Sequence, residues 1–258
     1  MADKMNIALV QTPLVWEDPA GNRNVLEKII RGTRKDTELV ILPEMFTTGF
    51  TMTPQHIAKG EGPKTIKWMQ NLARELNLAI AGSIVFQDGD NFYNRLCFVT
   101  PDRSVYTYDK RHTFTLAGED KVYQAGRERL IVSFKGFRIC PLVCYDLRFP
   151  VWSRNTENYD LLIYVANWPA PRVAAWDILL KARAVENMSY CIGVNRIGTD
   201  HTGHEYAGHS AVYDALGSTL AYSEEETVLY ATLEKEKLDK MRGKLKFLQD
   251  RDAFTLQP

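Results

Sequence analysis

Apolar positions along the first half of the chain alternate between short unbroken runs and runs spaced three or four apart. "MNIALVQ" (5–11) is a continuous apolar run closed by Pro13, which reads as a short buried strand. "RNVLEKIIRGTRKD" then places Val25, Leu26, Ile29 and Ile30 on one side of a helix. "ELVILP" (38–43) is a second apolar run, and "PKTIKWMQNLARELN", opening at Pro63, spaces Ile66, Met69, Leu72, Ala73 and Leu76 as an amphipathic helix. The pattern then changes to a meander of strands: "LAIAGSIVF", the turn "QDGDN", "FYNRLCFVT", the turn "PDRS" and "VYTYDK", ending near Lys110.

A loop over 111–127 separates this half from a second with the same rhythm. "ERLIVSF", the turn "KG" and "FRICPLV" lead to Cys144 and a short helix. "YDLLIYVAN" (159–167), a helix from about Val173 to Asn187 and "SYCIGVN" (189–195) come next. A second meander of "HSAVYDA", "STLAYS" and "TVLYATL" precedes a closing helix, "KEKLDKMRGK". Two repeats of strand–helix–strand–helix–strands predict two sheets packed face to face with helices outside: an α/β four-layer α-β-β-α sandwich. No low-complexity linker divides it, so one domain over 1–258 is expected.

Charge removes several function classes. The 32 basic and 32 acidic side chains cancel, and no basic tract gives a footprint for nucleic acid or an anionic membrane. The N-terminus lacks a leader pattern and no window approaches a membrane span, so a cytosolic protein with a small-molecule partner is expected. The cysteines at 97, 140, 144 and 191 show no C-x-x-C spacing. Along a strand, Cys140 and Cys144 would stand about 13 Å apart, beyond the roughly 7 Å Cα limit for a disulfide. Each thiol therefore needs its own explanation.

Three reactive residues close predicted strands: Glu44 after "ELVILP", Lys110 at the end of "VYTYDK" and Cys144 after "FRICPLV". Strand ends are where α/β folds place their sites. A helix beginning after Cys144 would favour its thiolate. A glutamate can take the thiol proton and later activate water, and a lysine can hold the oxyanion together with the N–H just after the cysteine. Taken singly, each has a plainer reading: Cys144 as a small buried hydrophobe, Glu44 and Lys110 as solvated surface charges. Only their convergence carries chemistry.

"ILPEMFTTGF" around Glu44, "YDKRHTF" around Lys110 and "PLVCYDLRFP" around Cys144 together resemble the three signature segments of the nitrilase (carbon–nitrogen hydrolase) superfamily, with the match running from residue 5 to "RDAF" at 251–254. The resemblance implies the α-β-β-α sandwich, a homodimer formed through helices, and a Glu44–Lys110–Cys144 triad working through a thioester, with water as second substrate. It also implies a second glutamate after the lysine, here Glu119 in "TLAGEDKVYQAG", with Asp120 adjacent. The Tyr145 N–H would join Lys110 at the oxyanion, and no metal or organic cofactor is required.

"YVANWPAPR", "WDILLKARAVENMSYCIGVNRIG" and "YAGHSAVYDALG" further resemble the omega-amidase branch, which hydrolyses the terminal amide of short dicarboxylic monoamides such as 2-oxoglutaramate and 2-oxosuccinamate. Such a substrate keeps a free carboxylate, which an arginine fork suits better than a mobile lysine. Arg148 is the first candidate and Arg172 the second; the alternative for Arg148 is an ion pair with a helix end or a dimer partner. Trp168 is expected to wall the pocket, with Phe46 and Phe50 as lesser candidates.

Other readings stay open. His201, His204, Glu205 and His209 in "HTGHEYAGH" could bind metal, but the run looks like a loop and does not match H-E-x-x-H. Arg183 and Glu186 have the spacing of an intrahelical or interface ion pair, and Cys97, Cys140 and Cys191 read as core. Competing functions are an amidase for deaminated glutathione or an N-carbamoyl amino acid, a catalytically silent scaffold, and a Cys–His protease using His112 or His209.

Overall fold

The computed structural model describes residues 4–256. Its first half runs β1 (Lys4–Gln11), α1 (Pro19–Arg31), β2 (Leu39–Ile41), α2 (Glu61–Leu76), β3 (Ala79–Asp88), β4 (Asn91–Val99) and β5 (Val105–Asp109). The second runs β6 (Val132–Phe134), β7 (Phe137–Val143), α3 (Pro150–Ser153), β8 (Leu161–Ala166), α4 (Val173–Asn187), β9 (Tyr190–Asn195), β10 (Ile197–Thr199), β11 (Glu205–Ala207), β12 (Ser210–Tyr213), β13 (Thr219–Ser223), β14 (Thr227–Glu234) and α5 (Lys235–Leu245).

Two six-stranded sheets result, ordered β14-β1-β2-β3-β4-β5 and β13-β12-β9-β8-β7-β6. At the centre of each lie three parallel strands, β1-β2-β3 and β7-β8-β9. Buried on both faces, they must be apolar at every position, which is why they read as unbroken runs. Alternation sorts the first sheet's side chains: Ile7 and Leu9 face the core between the sheets, while Ala8 and Val10 pack outward with Leu26, Ile30, Met69 and Leu72 of α1 and α2. On the other side, Trp176, Leu180 and Ala184 of α4 join the larger core. The expected four layers are observed.

The second meander differs from its expected form. "TVLYATL" does not stay with β12 and β13 but crosses to the first sheet, where β14 pairs antiparallel with β1 from Lys4↔Glu234 to Gln11↔Thr227. Without that partner β1 would present an unpaired edge. The run read as a loop around "HTGHEYAGH" contains β11, hydrogen-bonded to β10 in a separate ribbon. The loop over 111–127 holds two single 3₁₀ turns, Thr115–Ala117 and Glu119–Lys121. α1 starts at Pro19, capped by the Asp18 carboxylate, which accepts the Gly21 N–H at 2.9 Å. α5 is fastened by Arg242, which donates to Asp160 at 2.7 Å and to the Tyr159 and Met188 carbonyls at 2.6 Å each.

Candidate active site

Strand ends gather the reactive groups. Lys110 directly follows β5, Cys144 directly follows β7, and Glu44 lies just beyond β2. Cys144 has φ +44, a left-handed conformation unusual for a residue with a Cβ, and opens a 3₁₀ turn over Cys144–Arg148. The sharp turn lifts its side chain out of the strand, leaving it partly exposed on the cavity wall while Val143 before it is buried.

The Lys110 ammonium lies between two carboxylates, 2.9 Å from Glu44 Oε1 and 2.8 Å from Glu119 Oε2. All three residues are at most 1% exposed. Two asparagines complete the arrangement. Asn94 of β4 donates through Nδ2 to Glu44 Oε1 at 2.8 Å and to Glu119 Oε1 at 3.2 Å. Asn167, just past β8, donates its N–H to Glu44 Oε2 at 2.8 Å and its Nδ2 to the Glu44 carbonyl at 2.7 Å. Glu119 also accepts the Phe114 N–H at 2.6 Å, so the loop over 111–127 is tied to the lysine through it.

Burial alone would pull the Lys110 pKa down, but the charges of Glu119 and Glu44 more than reverse it and the amine stays protonated. Burial holds Glu119 above the usual carboxylate range despite Lys110. The Cys144 thiol is pushed well above its ordinary value, first by burial and then by the Glu44 charge, against a lowering by Lys110. The turn after Cys144 was expected to favour thiolate; a five-residue 3₁₀ turn is too short for that effect to prevail here. The resting thiol is neutral and must lose its proton during reaction. Glu44→Gln removes a negative neighbour, so the pH at which a small neutral electrophile alkylates Cys144 should move down relative to wild type. An absent shift would show that the Glu44 charge does not bear on the thiol, and an upward one that Glu44 serves there as proton acceptor more than as a charge.

A cavity of about 360 Å³ opens over this group, with Lys110, Cys144 and Asn167 among its lining. Trp16, Phe50, Phe114, Tyr145, Trp168 and Tyr206 give it aromatic walls. Arg148 and Arg172 both line it, the first with its guanidinium 4.9 Å from the Trp168 ring centroid and the second 5.4 Å from that of Phe114. Neither forms an ion pair among the described residues, so the alternative reading of Arg148 finds no partner among them. Phe50 stands 5.1 Å from Lys110 Nζ, measured to its ring centroid. Phe46 does not reach the cavity: it is fully buried under the first sheet, tilted against Trp68.

The histidines weighed as partners for Cys144 are otherwise engaged. His112 bonds to Asp146 at 2.8 Å and stacks on Phe149, and His209 bonds to Asp177 at 2.9 Å, so neither pairs with Cys144. His201 stacks on Trp16 with ring centroids 3.6 Å apart. Among the described residues, no group of three His, Cys, Asp or Glu side chains is placed to hold a metal ion. Arg183 pairs with Glu186 at 3.0 Å as its spacing suggested, and also donates to the Leu147 carbonyl at 2.6 Å, bracing the turn that carries Cys144. The other three cysteines are buried and all four are free. Asn94, Asn167, Trp16 and Tyr206 were not singled out from the sequence. Asn167 had a usable signal, a polar residue directly after an apolar strand; Asn94 and Trp16 are remote from the three motifs.

Residues 6–242 match the carbon–nitrogen hydrolase family. Omega-amidase YafV of Escherichia coli (strain K12) is 44% identical, covering 98% of this chain and 98% of its own length. A 2-oxoglutaramate amidase of Bacillus subtilis (strain 168) is 29% identical over 96% of this chain and 97% of its own. Among solved structures, XC1258 from Xanthomonas campestris, a CN-hydrolase superfamily protein with an arsenic adduct in its active site, superposes with a TM-score of 0.95 at 42% identity, covering 98% of this chain and 99% of its own.

Proposed function

The chain belongs to the carbon–nitrogen hydrolase family, and from that premise we propose that it is an omega-amidase, releasing ammonia from the terminal amide of short oxo-dicarboxylic monoamides such as 2-oxoglutaramate and 2-oxosuccinamate. The observation that carries this reading is the buried Glu44–Lys110–Glu119 group at the floor of a cavity that also presents Cys144 and two arginines without an ion-pair partner among the described residues. Near-full-length similarity to proteins named as omega-amidase and 2-oxoglutaramate amidase supports it.

In the proposed mechanism Glu44 takes the Cys144 proton as the sulfur attacks the amide carbon. The oxyanion is held by the Lys110 ammonium and by the Tyr145 N–H, a donor that the start of a 3₁₀ turn leaves without an intrahelical acceptor. The proton passes to the amide nitrogen and ammonia leaves, giving a thioester. Water, losing its proton to Glu44, opens the thioester and restores the thiol. Glu119 orients Lys110 or the leaving amine. Arg148, with Arg172 second, receives the distal carboxylate, and Trp168 walls the acyl chain.

The same reading takes residues 1–258 as one catalytic domain working in the cytoplasm as a homodimer. Exposed Val151 on α3 with Ile178 and Val185 on α4 supports pairing through those helices. Among the described residues no helix is long and apolar enough to cross a membrane.

The test is ammonia release from 2-oxoglutaramate, 2-oxosuccinamate, glutamine, asparagine, deaminated glutathione and an N-carbamoyl amino acid. A kcat/KM at least tenfold higher on the small oxo-amides than on any other supports the assignment. Turnover confined to a larger carboxylated amide would overturn the substrate while leaving the mechanism, and release from none would overturn the function.

A further inference from the structure

Arg196 has no part in the chemistry above and is one of the largest fully buried side chains, at 1% exposure. It stands in the link between β9 and β10, where a structural arginine would be expected to meet a carboxylate. Among the described residues it forms no ion pair, and its Nε has no hydrogen-bond partner. Its Nη2 makes only two long bonds, to the Leu14 carbonyl at 3.3 Å and the Thr199 carbonyl at 3.4 Å. The guanidinium lies 4.5 Å from the centroid of the Tyr206 ring.

Three cavity-lining segments meet at this side chain. Leu14 leads to Trp16; Gly49, whose φ of +71 suits glycine and whose added Cβ would sit 3.5 Å from Arg196 Nη1, precedes Phe50; and Thr199 and Tyr206 belong to the β10–β11 ribbon. Tyr206 itself lines the cavity, so one aromatic ring separates the buried cation from whatever occupies it.

The ribbon holds a carboxylate, Asp200, which also lines the cavity and whose charge acts on Arg196, but no bond joins the two, its oxygens being taken within the ribbon. Oδ1 accepts from the Thr202 N–H at 2.9 Å, the Thr202 hydroxyl at 2.7 Å and the His204 N–H at 3.0 Å, and Oδ2 from the Tyr206 hydroxyl at 3.0 Å. A buried charge without a partner is costly. Here the cost is sustained directly behind a ligand-facing ring.

We infer that Arg196 is a specificity-determining residue that acts through Tyr206, its charge favouring amides with an anionic acyl chain over neutral amides of the same length. The inference rests on the amidase reading only for the choice of ligands.

Binding tests it without turnover. In protein carrying Cys144→Ala, dissociation constants for glutaramate and for neutral pentanamide are measured by calorimetry, with Arg196 intact and as Arg196→Met, Arg196→Gln and Arg196→Lys. The Met and Gln variants are expected to weaken glutaramate about tenfold, the size expected of a unit charge acting across roughly 8 Å of partly screened protein, with pentanamide changed less than twofold. The Lys variant, which keeps the charge, should hold the ratio of the two constants within threefold. A purely structural Arg196 would move both ligands equally, and a ratio unchanged by Met or Gln, or lost equally in Lys, overturns the inference. Should Met fail to fold, Gln, which retains a donor toward the Leu14 carbonyl, gives the same reading. Failure of the amidase proposal shows separately, as absence of ammonia release from protein with Cys144 intact.

Discussion

Cys144→Ala is expected to lower ammonia release at least 10⁴-fold, the scale on which nucleophile removal acts in covalent catalysis, while the melting temperature stays within about 2 °C of wild type. Both halves follow from where the sulfur sits. It faces the cavity rather than the core, unlike Cys97, Cys140 and Cys191, which are completely buried. Truncation to alanine therefore opens no interior void, and it removes a neutral thiol, not a charge that Lys110 needs. The backbone does hold strain: φ +44 at a residue with a Cβ costs of the order of 1 kcal/mol. Alanine inherits that strain and glycine relieves it, so Cys144→Gly should be as inactive as Cys144→Ala and melt at the same temperature or slightly higher. Ammonia assays and thermal melts of the two variants check this. A fall of more than about 5 °C in the alanine variant would restore the plainer reading of Cys144 as a packing residue, and residual turnover above one part in a thousand would remove it as nucleophile.

That plainer reading was fair on the sequence, and why it was fair shows where legibility ended. The parallel strands were visible because burial on both faces forces unbroken apolar runs, and α4 appeared at its observed limits, Val173–Asn187. Glu44, Lys110 and Cys144 were visible as polar residues at the ends of such runs, and their similarity to three family segments joined what spacing alone left separate. Hidden were contacts between segments distant in the chain. Asn167 and Glu44 are bonded although 123 residues apart, and Arg196 touches Leu14 across 182. β14 carries an alternating pattern that fits either sheet, and only the open edge of β1 decides between them. The thiol was misjudged for a related reason. A turn after Cys144 is local and readable, but the burial that chiefly raises the thiol, and the Glu44 charge that adds to it, come from segments distant in the chain.

Lys110→Met, unlike Cys144→Ala, is expected to lose stability as well as activity: a fall in kcat of at least 10³-fold together with a melting temperature lower by about 6–20 °C. The activity loss follows from removing a preorganised charge at the oxyanion. The stability loss follows from what remains, since Glu44 and Glu119 are both completely buried and share this ammonium at 2.9 and 2.8 Å. Breaking a buried pair by deleting one partner costs about 3–5 kcal/mol, and a chain of this length loses roughly 2–4 °C for each. The deficit has a pH signature. The Lys110 charge lowers the Glu119 pKa and the Glu44 charge raises it, so deleting the lysine lifts Glu119 further above its unfolded value. A carboxyl raised on folding contributes stability that is present below its unfolded pKa and is lost as pH climbs toward the folded one. The variant should therefore sit nearer wild type at about pH 5 than at pH 8, approaching it as Glu119 takes up a proton. Adding Glu119→Gln to Lys110→Met removes the surplus carboxylate, and is expected to recover much of the melting temperature at pH 8 without restoring ammonia release. A deficit independent of pH, or no recovery in the double variant, would mean that Lys110 acts through packing rather than as the shared counter-charge of two glutamates.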